Sequence, residues 1–343
     1  MKWTTCWISA VLALVLVFSG CGGAGDGGGS GGTTVLNVYH AGSLACPFGS
    51  LEEEFERANP GVDVRSHAHG SAVAVRQITE LGKPGDVVGV ADYTLIDEMM
   101  IKSDENWADW NLRFATNEMV IALGSDAPDV TTDNWQQVLA RDEVTLGFSN
   151  PRHDPCGYRA LMVLYLAQKA GGPRLLSDVV VPNSNIELKR GRDGAVIQLR
   201  EPVNVEGRLR MRSKETDIVS LLQTGALDCG FLYRSVAVQQ GLDYVELPPE
   251  LNLGSPDHAE TYGGVTVRMD PGEDATEVRG RPISYGVTIP KTVRSRDLAR
   301  DYVRMLMSET GSTALEECGL RPLESPIMSG ASETQELPFL QSN

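Results

Sequence analysis

Strand-length apolar runs alternate with helix-length amphipathic runs in two separate stretches of this chain, and that alternation restricts the fold more than any other feature. Residues 35–39 read as a buried strand, followed by the turn His40-Ala41-Gly42-Ser43 and a helix through Leu51, Phe55 and Ala58, which Asn59-Pro60-Gly61 stops. Residues 62–65 read as a second strand. Residues 71–81 read as a helix with Val75, Ile78 and Thr79 on one face, and 86–91 as a third strand that is Val-rich on both faces. The pattern then restarts. Strands are expected at 118–123, 144–148 and 227–233, and helices at 158–170 and 216–224, with Gly171-Gly172 and Gly225 as their stops. A polar hairpin-like stretch spans 186–211. A strand at 283–289 and one long amphipathic helix at 296–318 close the chain. Two such units predict an α/β fold with mainly parallel sheets flanked by helices. Crossings near 117–119 and near Tyr285 predict two hinged lobes with a cleft between them.

The N-terminus points outside the cytoplasm. Lys2 precedes an apolar run over 7–20 that is too short to span a bilayer, and Phe18-Ser19-Gly20-Cys21 resembles a lipobox. Cleavage and lipidation at Cys21 are expected, with an uncleaved anchor as the alternative, and the Gly-rich residues that follow read as a tether. The net charge of −16 and the lack of any Lys/Arg stripe argue against nucleic acid. An anion site on such a chain must work through local geometry. Cys46, Cys156, Cys229 and Cys318 are left for the folded part, and their spacing does not choose between disulfides and buried thiols.

Four loops share one device, a small or acidic residue where a helix begins: Ala41-Gly42-Ser43, Gly70-Ser71, Asp154-Pro155-Cys156-Gly157 and Lys214-Glu215-Thr216-Asp217. Helix starts expose unpaired N–H groups and the positive end of a dipole, so several converging on a cleft bind an oxyanion without net positive charge. Singly, Ser71, Asp154 and Thr216 read as ordinary helix caps.

At these residues the chain resembles the archaeal-type molybdate/tungstate-binding proteins of ABC importers, which have a class II periplasmic-binding-protein fold. The likeness runs through Tyr39-His40-Ala41-Gly42-Ser43-Leu44, Val90-Ala91-Asp92-Tyr93, Asp154-Pro155-Cys156-Gly157-Tyr158-Arg159, Lys214-Glu215-Thr216-Asp217 and Tyr285-Gly286-Val287-Thr288-Ile289-Pro290-Lys291. It implies a signal peptide at 1–20, a tether at 21–33, one lobe from 34–117 with 285–343, and a second from 118–284. It also implies that Ser43 and Ser71 hold the oxyanion while Asp154 and Glu215 approach the Mo or W atom; His40, His69, His153 and Tyr233 read, from their own places in the sequence, as a surrounding layer. The implied protein is a monomer, lipid-anchored at the outer face of the membrane. It has no catalytic activity and no cofactor, and it passes molybdate or tungstate to a permease and, through it, an ATPase.

His67-Ala68-His69 departs from the residues expected before Ser71. The alternative reading is therefore a different oxyanion, or a divalent cation held by His40, His67, His69 and Asp154. A secreted hydrolase has only Gly28-Gly29-Ser30-Gly31-Gly32 in its favour, a nucleophile-elbow pattern inside the tether.

Overall fold

A computed structural model describes residues 33–191, 194–269 and 277–330. Cys21, Ser30 and the signal segment lie outside the described residues.

In chain order the strands of the first part are β1 Thr34–Ala41, β2 Val62–His69, β3 Val87–Val90, β4 Trp110–Thr116, β5 Met119–Leu123 and β6 Leu146–Ser149. They continue as β7 Glu187–Arg190, β8 Ala195–Gln198, β9 Leu209–Arg212, β10 Cys229–Tyr233 and β11 Tyr244–Glu246, then β12 Val265–Arg268, β13 Glu277–Arg279, β14 Ser284–Thr288 and β15 Arg321–Gly330. The helices are α1 Ala45–Ala58, α2 Ser71–Thr79, α3 Thr94–Ile96, α4 Trp135–Leu139 and α5 Pro155–Lys169. After them come α6 Glu215–Gln223, α7 Arg234–Gln239, α8 Ala259–Tyr262, α9 Arg296–Leu306 and α10 Glu309–Glu317.

One six-stranded sheet has the order β15-β4-β14-β3-β1-β2, a second has β11-β5-β10-β6-β9, and a third, smaller one has β13-β12-β8-β7. The fold is a two-lobed α/β architecture. β3 lies between β1 and β14 with all four residues buried, as its Val-rich sequence requires. At Gly89 any Cβ would stand 3.0 Å from the Phe48 ring, so glycine lets α1 lie directly on this strand. Phe48 and Phe55 of α1 then meet Tyr302 of α9 edge-on, with ring centroids 6.0 and 5.4 Å away.

The sheets are mixed, where local alternation suggests mainly parallel pairing. β1 pairs in parallel with β2 and β3, but β14 runs antiparallel to both β3 and β4, and β15 antiparallel to β4. The cause is the crossing: β14 re-enters the first sheet from the other lobe, and a strand-helix pattern carries no record of the direction of a returning strand. The stretch 186–211 is not one hairpin. β7 and β8 pair as a hairpin, whereas Leu209 to Arg212 joins the second sheet parallel to β6. The long helix of 296–318 is two helices. Ser308 takes an extended backbone (ψ 177°) and starts α10, and a Cβ at Gly311 would lie 2.0 Å from the Leu306 carbonyl, so the chain folds back tightly there. α5 starts at Pro155, before the expected 158, because Asp154 caps it and proline suits the first turn.

Cys46 of α1 is disulfide-bonded to Cys318, just past α10, while Cys156 and Cys229 are free and buried.

Candidate functional site

The loop after β1, the start of α2, the start of α5 and the start of α6 face a common cleft of about 480 Å³. Ser43, Ser71, Asp154 and Glu215 all line it, together with Tyr233, Ser235 and Tyr285. The start of α5 packs tightly on the end of β6: a Cβ at Gly157 would lie 2.1 Å from the Ser149 carbonyl, and only glycine allows that approach.

Hydrogen bonding gives the two serine hydroxyls a direction. The Ala91 N–H donates to Ser71 Oγ at 3.1 Å, and the Tyr285 hydroxyl donates to Ser43 Oγ at 3.1 Å. Each oxygen is an acceptor toward the protein, so each keeps its own proton for the cleft. Neither serine caps a helix. Ser43 sits in the 3₁₀ turn Gly42–Leu44 ahead of α1, and the N-cap of α2 is Gly70. Thr216 is not a cap either, since Lys214 occupies that position in α6. Asp154 alone of the three candidates caps, its Oδ1 accepting from Cys156 N at 3.0 Å.

The other Asp154 oxygen accepts the backbone N–H of Glu215 at 2.7 Å, so one carboxylate ties two helix starts together. Glu215 Oε2 in turn accepts from Tyr233 N at 3.4 Å. Burial at the cleft wall, reinforced by the Asp154 charge, pushes the Glu215 carboxyl up to about 8. At neutral pH the Glu215 carboxyl therefore keeps its proton.

The histidines separate. His69 lines the cleft, as does Tyr233. His40 is 1% exposed, bonds the Ala41 carbonyl through Nδ1 at 2.8 Å and packs edge-on to Phe48; its burial lowers its pKa. His67 stacks on Tyr39 at 4.5 Å and bonds Asn37 Oδ1, and His153 is exposed beside Ser213. His40, His67, His69 and Asp154 therefore do not converge, and among the described residues no group of three or more His, Cys, Asp or Glu could hold a metal ion. The divalent-cation alternative loses its ligands.

Sequence reasoning missed three groups here. Arg159 is the one Lys or Arg among the described residues lining the cleft; its Nη1 donates to the Tyr233 hydroxyl, and its guanidinium lies 5.6 and 5.5 Å from the Tyr158 and Tyr233 ring centroids. Asp92 reaches the cleft already paired, with Arg281 at 2.5 Å and the Thr94 hydroxyl at 2.8 Å. Asn117 sits behind the wall, bonded to Ser235 and Tyr285. Arg159 lies in the segment that carries the family resemblance, but nothing in its spacing from Asp154 announces a cleft cation.

Over residues 36–321 the chain matches the family described as bacterial extracellular solute-binding protein. A solute-binding protein of Methanoculleus marisnigri is 39% identical over 331 residues, which cover 93% of this chain and 92% of that one. The molybdate/tungstate-binding protein WtpA of Pyrococcus abyssi is 38% identical over 331 residues, 94% of each chain. Among solved structures, the periplasmic molybdate-binding protein of Azotobacter vinelandii shares the fold with a TM-score of 0.51 at 17% identity, covering 83% of this chain and 98% of that one. A match over nearly the whole described part, with two such relatives, establishes that the chain belongs to the extracellular solute-binding protein family, whose members bind solutes rather than transform them.

Proposed function

We propose that this solute-binding protein captures molybdate or tungstate in the cleft and delivers it to the permease of an ABC importer. The observation that carries the reading is the opposition of donors and acids: Ser43 and Ser71 keep their hydroxyl protons for the cleft, opposite Asp154 and Glu215. Hydroxyl donors suit the oxygens of a dianion. A carboxylate beside it is repulsive unless it bonds to the central atom, which hexavalent Mo and W permit by adding oxygen ligands and sulfur in sulfate does not. Each Asp154 oxygen spends one lone pair on a backbone N–H and keeps another for such a bond. The 38% identity to the molybdate/tungstate-binding protein WtpA of Pyrococcus abyssi supports the same ligand.

On this reading residues 34–117 with 285–343 form one lobe and 118–284 the other, each contributing one wall of the site. The chain acts as a monomer, held at the outer face of the membrane by lipid on Cys21. Calorimetric titration of the protein with tungstate, molybdate and sulfate tests the ligand: strong heats for the first two and none for sulfate are expected, and equal binding of all three defeats the reading. Changing Cys21→Ser should move the protein to the soluble fraction or block its processing. A variant that stays membrane-bound at the mature mass removes the anchor from the reading.

A further inference from the structure

Asn117 lies in the two-residue link between β4 and β5, where the chain first leaves the first sheet, and it is fully buried. Its backbone N–H donates to the Ile283 carbonyl at 3.1 Å, on the segment that returns toward β14. The orientation of its amide is fixed by its neighbours. Oδ1 accepts the N–H groups of Glu118 at 2.9 Å and Ser235 at 3.3 Å, and an N–H can only donate. Nδ2 therefore points the other way, donating to Ser235 Oγ at 2.8 Å and to the Tyr285 hydroxyl at 3.2 Å. Having accepted that bond, Tyr285 passes its own proton to Ser43 Oγ at 3.1 Å.

The two branches end on Ser235 and Ser43, which both line the cleft. Each serine oxygen accepts one hydrogen bond from this network, and each serine proton is left over for another partner. We propose that Asn117 is a positioning residue that sets the direction of hydrogen bonding across the crossing, so that Ser43 and Ser235 both meet the bound oxyanion as donors. This rests on the oxyanion reading of the cleft and adds Ser235 as a donor to it. Asn117 spends both of its donors and both of its acceptors on this task and does not itself line the cleft. An aspartate there would keep the shape and the two backbone bonds. It would also turn two donations into acceptances, drawing the protons of Ser235 and Tyr285 inward and, through Tyr285, that of Ser43.

The test is tungstate titration of the full chain, its Asn117→Asp variant and its Tyr285→Phe variant between pH 6 and pH 9. Asn117→Asp should weaken binding about 100-fold at pH 9, about tenfold for each of two donors lost. Burial lifts a carboxyl pKa toward this window, and a protonated carboxyl again has an O–H to donate, so the gap to the parent should narrow as the pH falls. The other titratable or charged groups around this crossing are Glu118 with its partners Arg321 and Arg234, Tyr285, and Glu215 and Arg159, which act on the Tyr285 hydroxyl; all are common to parent and variant, so their titration cancels in the gap. Tyr285→Phe removes one neutral hydrogen bond and should cost about fivefold at every pH. A gap that does not change with pH, or parent-like affinity in either variant, overturns the relay. If Asn117→Asp fails to fold, Tyr285→Phe and Ser235→Ala decide, and parent-like affinity in both rejects the proposal. A parent that binds no tungstate rejects the ligand reading instead.

Discussion

Asp154 fixes Glu215 in place by its backbone, accepting the Glu215 N–H at 2.7 Å with one oxygen while the other caps α5 at 3.0 Å. The two acids of the cleft are thus one mechanical unit with separable duties. In Asp154→Asn the amide oxygen can satisfy only one of these N–H groups, and its NH₂ then faces the other. That variant should lose about 1 kcal/mol of stability as well as tungstate affinity. Glu215→Gln should lose tungstate affinity with no such drop in melting temperature. Sulfate binding should stay unchanged or improve slightly in both. Thermal melts beside titrations with tungstate and sulfate check this, and a uniform loss for every anion would reduce both acids to structural parts.

The protonation of Glu215 makes binding pH-dependent. Its carboxyl is pushed up to about 8, first by burial and then by Asp154, so ligation must displace a proton below that pH. Tungstate affinity should rise from pH 6 to about 8 and level off above it, with protons released on binding at pH 7. Calorimetry in buffers of different ionisation enthalpy counts those protons; none released removes Glu215 from the ligand set.

The same shift has a stability consequence of known sign. The folded state holds the Glu215 proton more tightly than an unfolded chain, whose value is near 4.5. Its contribution is most favourable below that value and is lost as the pH rises through about 8. The melting temperature of Glu215→Gln should accordingly gain on the parent between pH 5 and pH 8 and run parallel above. A constant difference over that range contradicts a raised Glu215.

Much of this site was legible in the sequence because its parts are local. A serine or acid next to a helix start is a short-range pattern, and Ser43, Ser71, Asp154 and Glu215 do meet at one cleft. Strands β1, β3 and β10, which end beside the cleft, were legible for the same reason, since they are short apolar runs between turn signals. What was hidden is what depends on long-range pairing. β15 reads as a polar, proline-interrupted tail, and only its pairing with β4 makes it a strand. Asn117, Ser235, Tyr285 and Ser43 are joined across sequence separations of 118, 168 and 242 residues, and no periodicity reports that. The histidines misled because four of them lie next to the right loops in sequence, whereas His67 and His69 both lie against the Tyr39 ring, His40 is buried on Phe48 and His69 is the one of the four that lines the cleft.

The Cys46–Cys318 disulfide closes a loop with a sequence separation of 272 residues and ties α1 to the end of α10. Large loops lose the most unfolded-state entropy on cross-linking, though measured gains are typically about 2–4 kcal/mol. Replacing both cysteines by serine should lower the melting temperature while leaving tungstate affinity within about twofold, because the bond touches no cleft residue. In the native parent, a thiol reagent should modify neither Cys156 nor Cys229, which are both buried. Thermal melts and tungstate titration of the double variant check the first statement, and mass spectrometry of the folded parent after alkylation checks the second.

The cleft's volume of about 480 Å³ has room for a drug-sized molecule, and a five-atom oxyanion fills only a small part of it. Hydrogen bonds act over about 2.7–3.2 Å, so Ser43 and Ser71 on one wall and Asp154 and Glu215 on the other can hold the same anion only if the walls approach. The chain crosses between the sheets at Asn117-Glu118 and again before β14, and short links of this kind are where hinges form. At the same crossing Arg321 of β15 pairs with Glu118 at 3.3 Å and Glu246 at 2.7 Å, which ties the first sheet to the second. Small-angle scattering should therefore show a smaller radius of gyration with saturating tungstate than without it, and no change with sulfate. An unchanged profile at saturation, alongside measurable binding heat, would mean that the anion is held by one wall alone, and that the opposed serines and acids do not share a ligand.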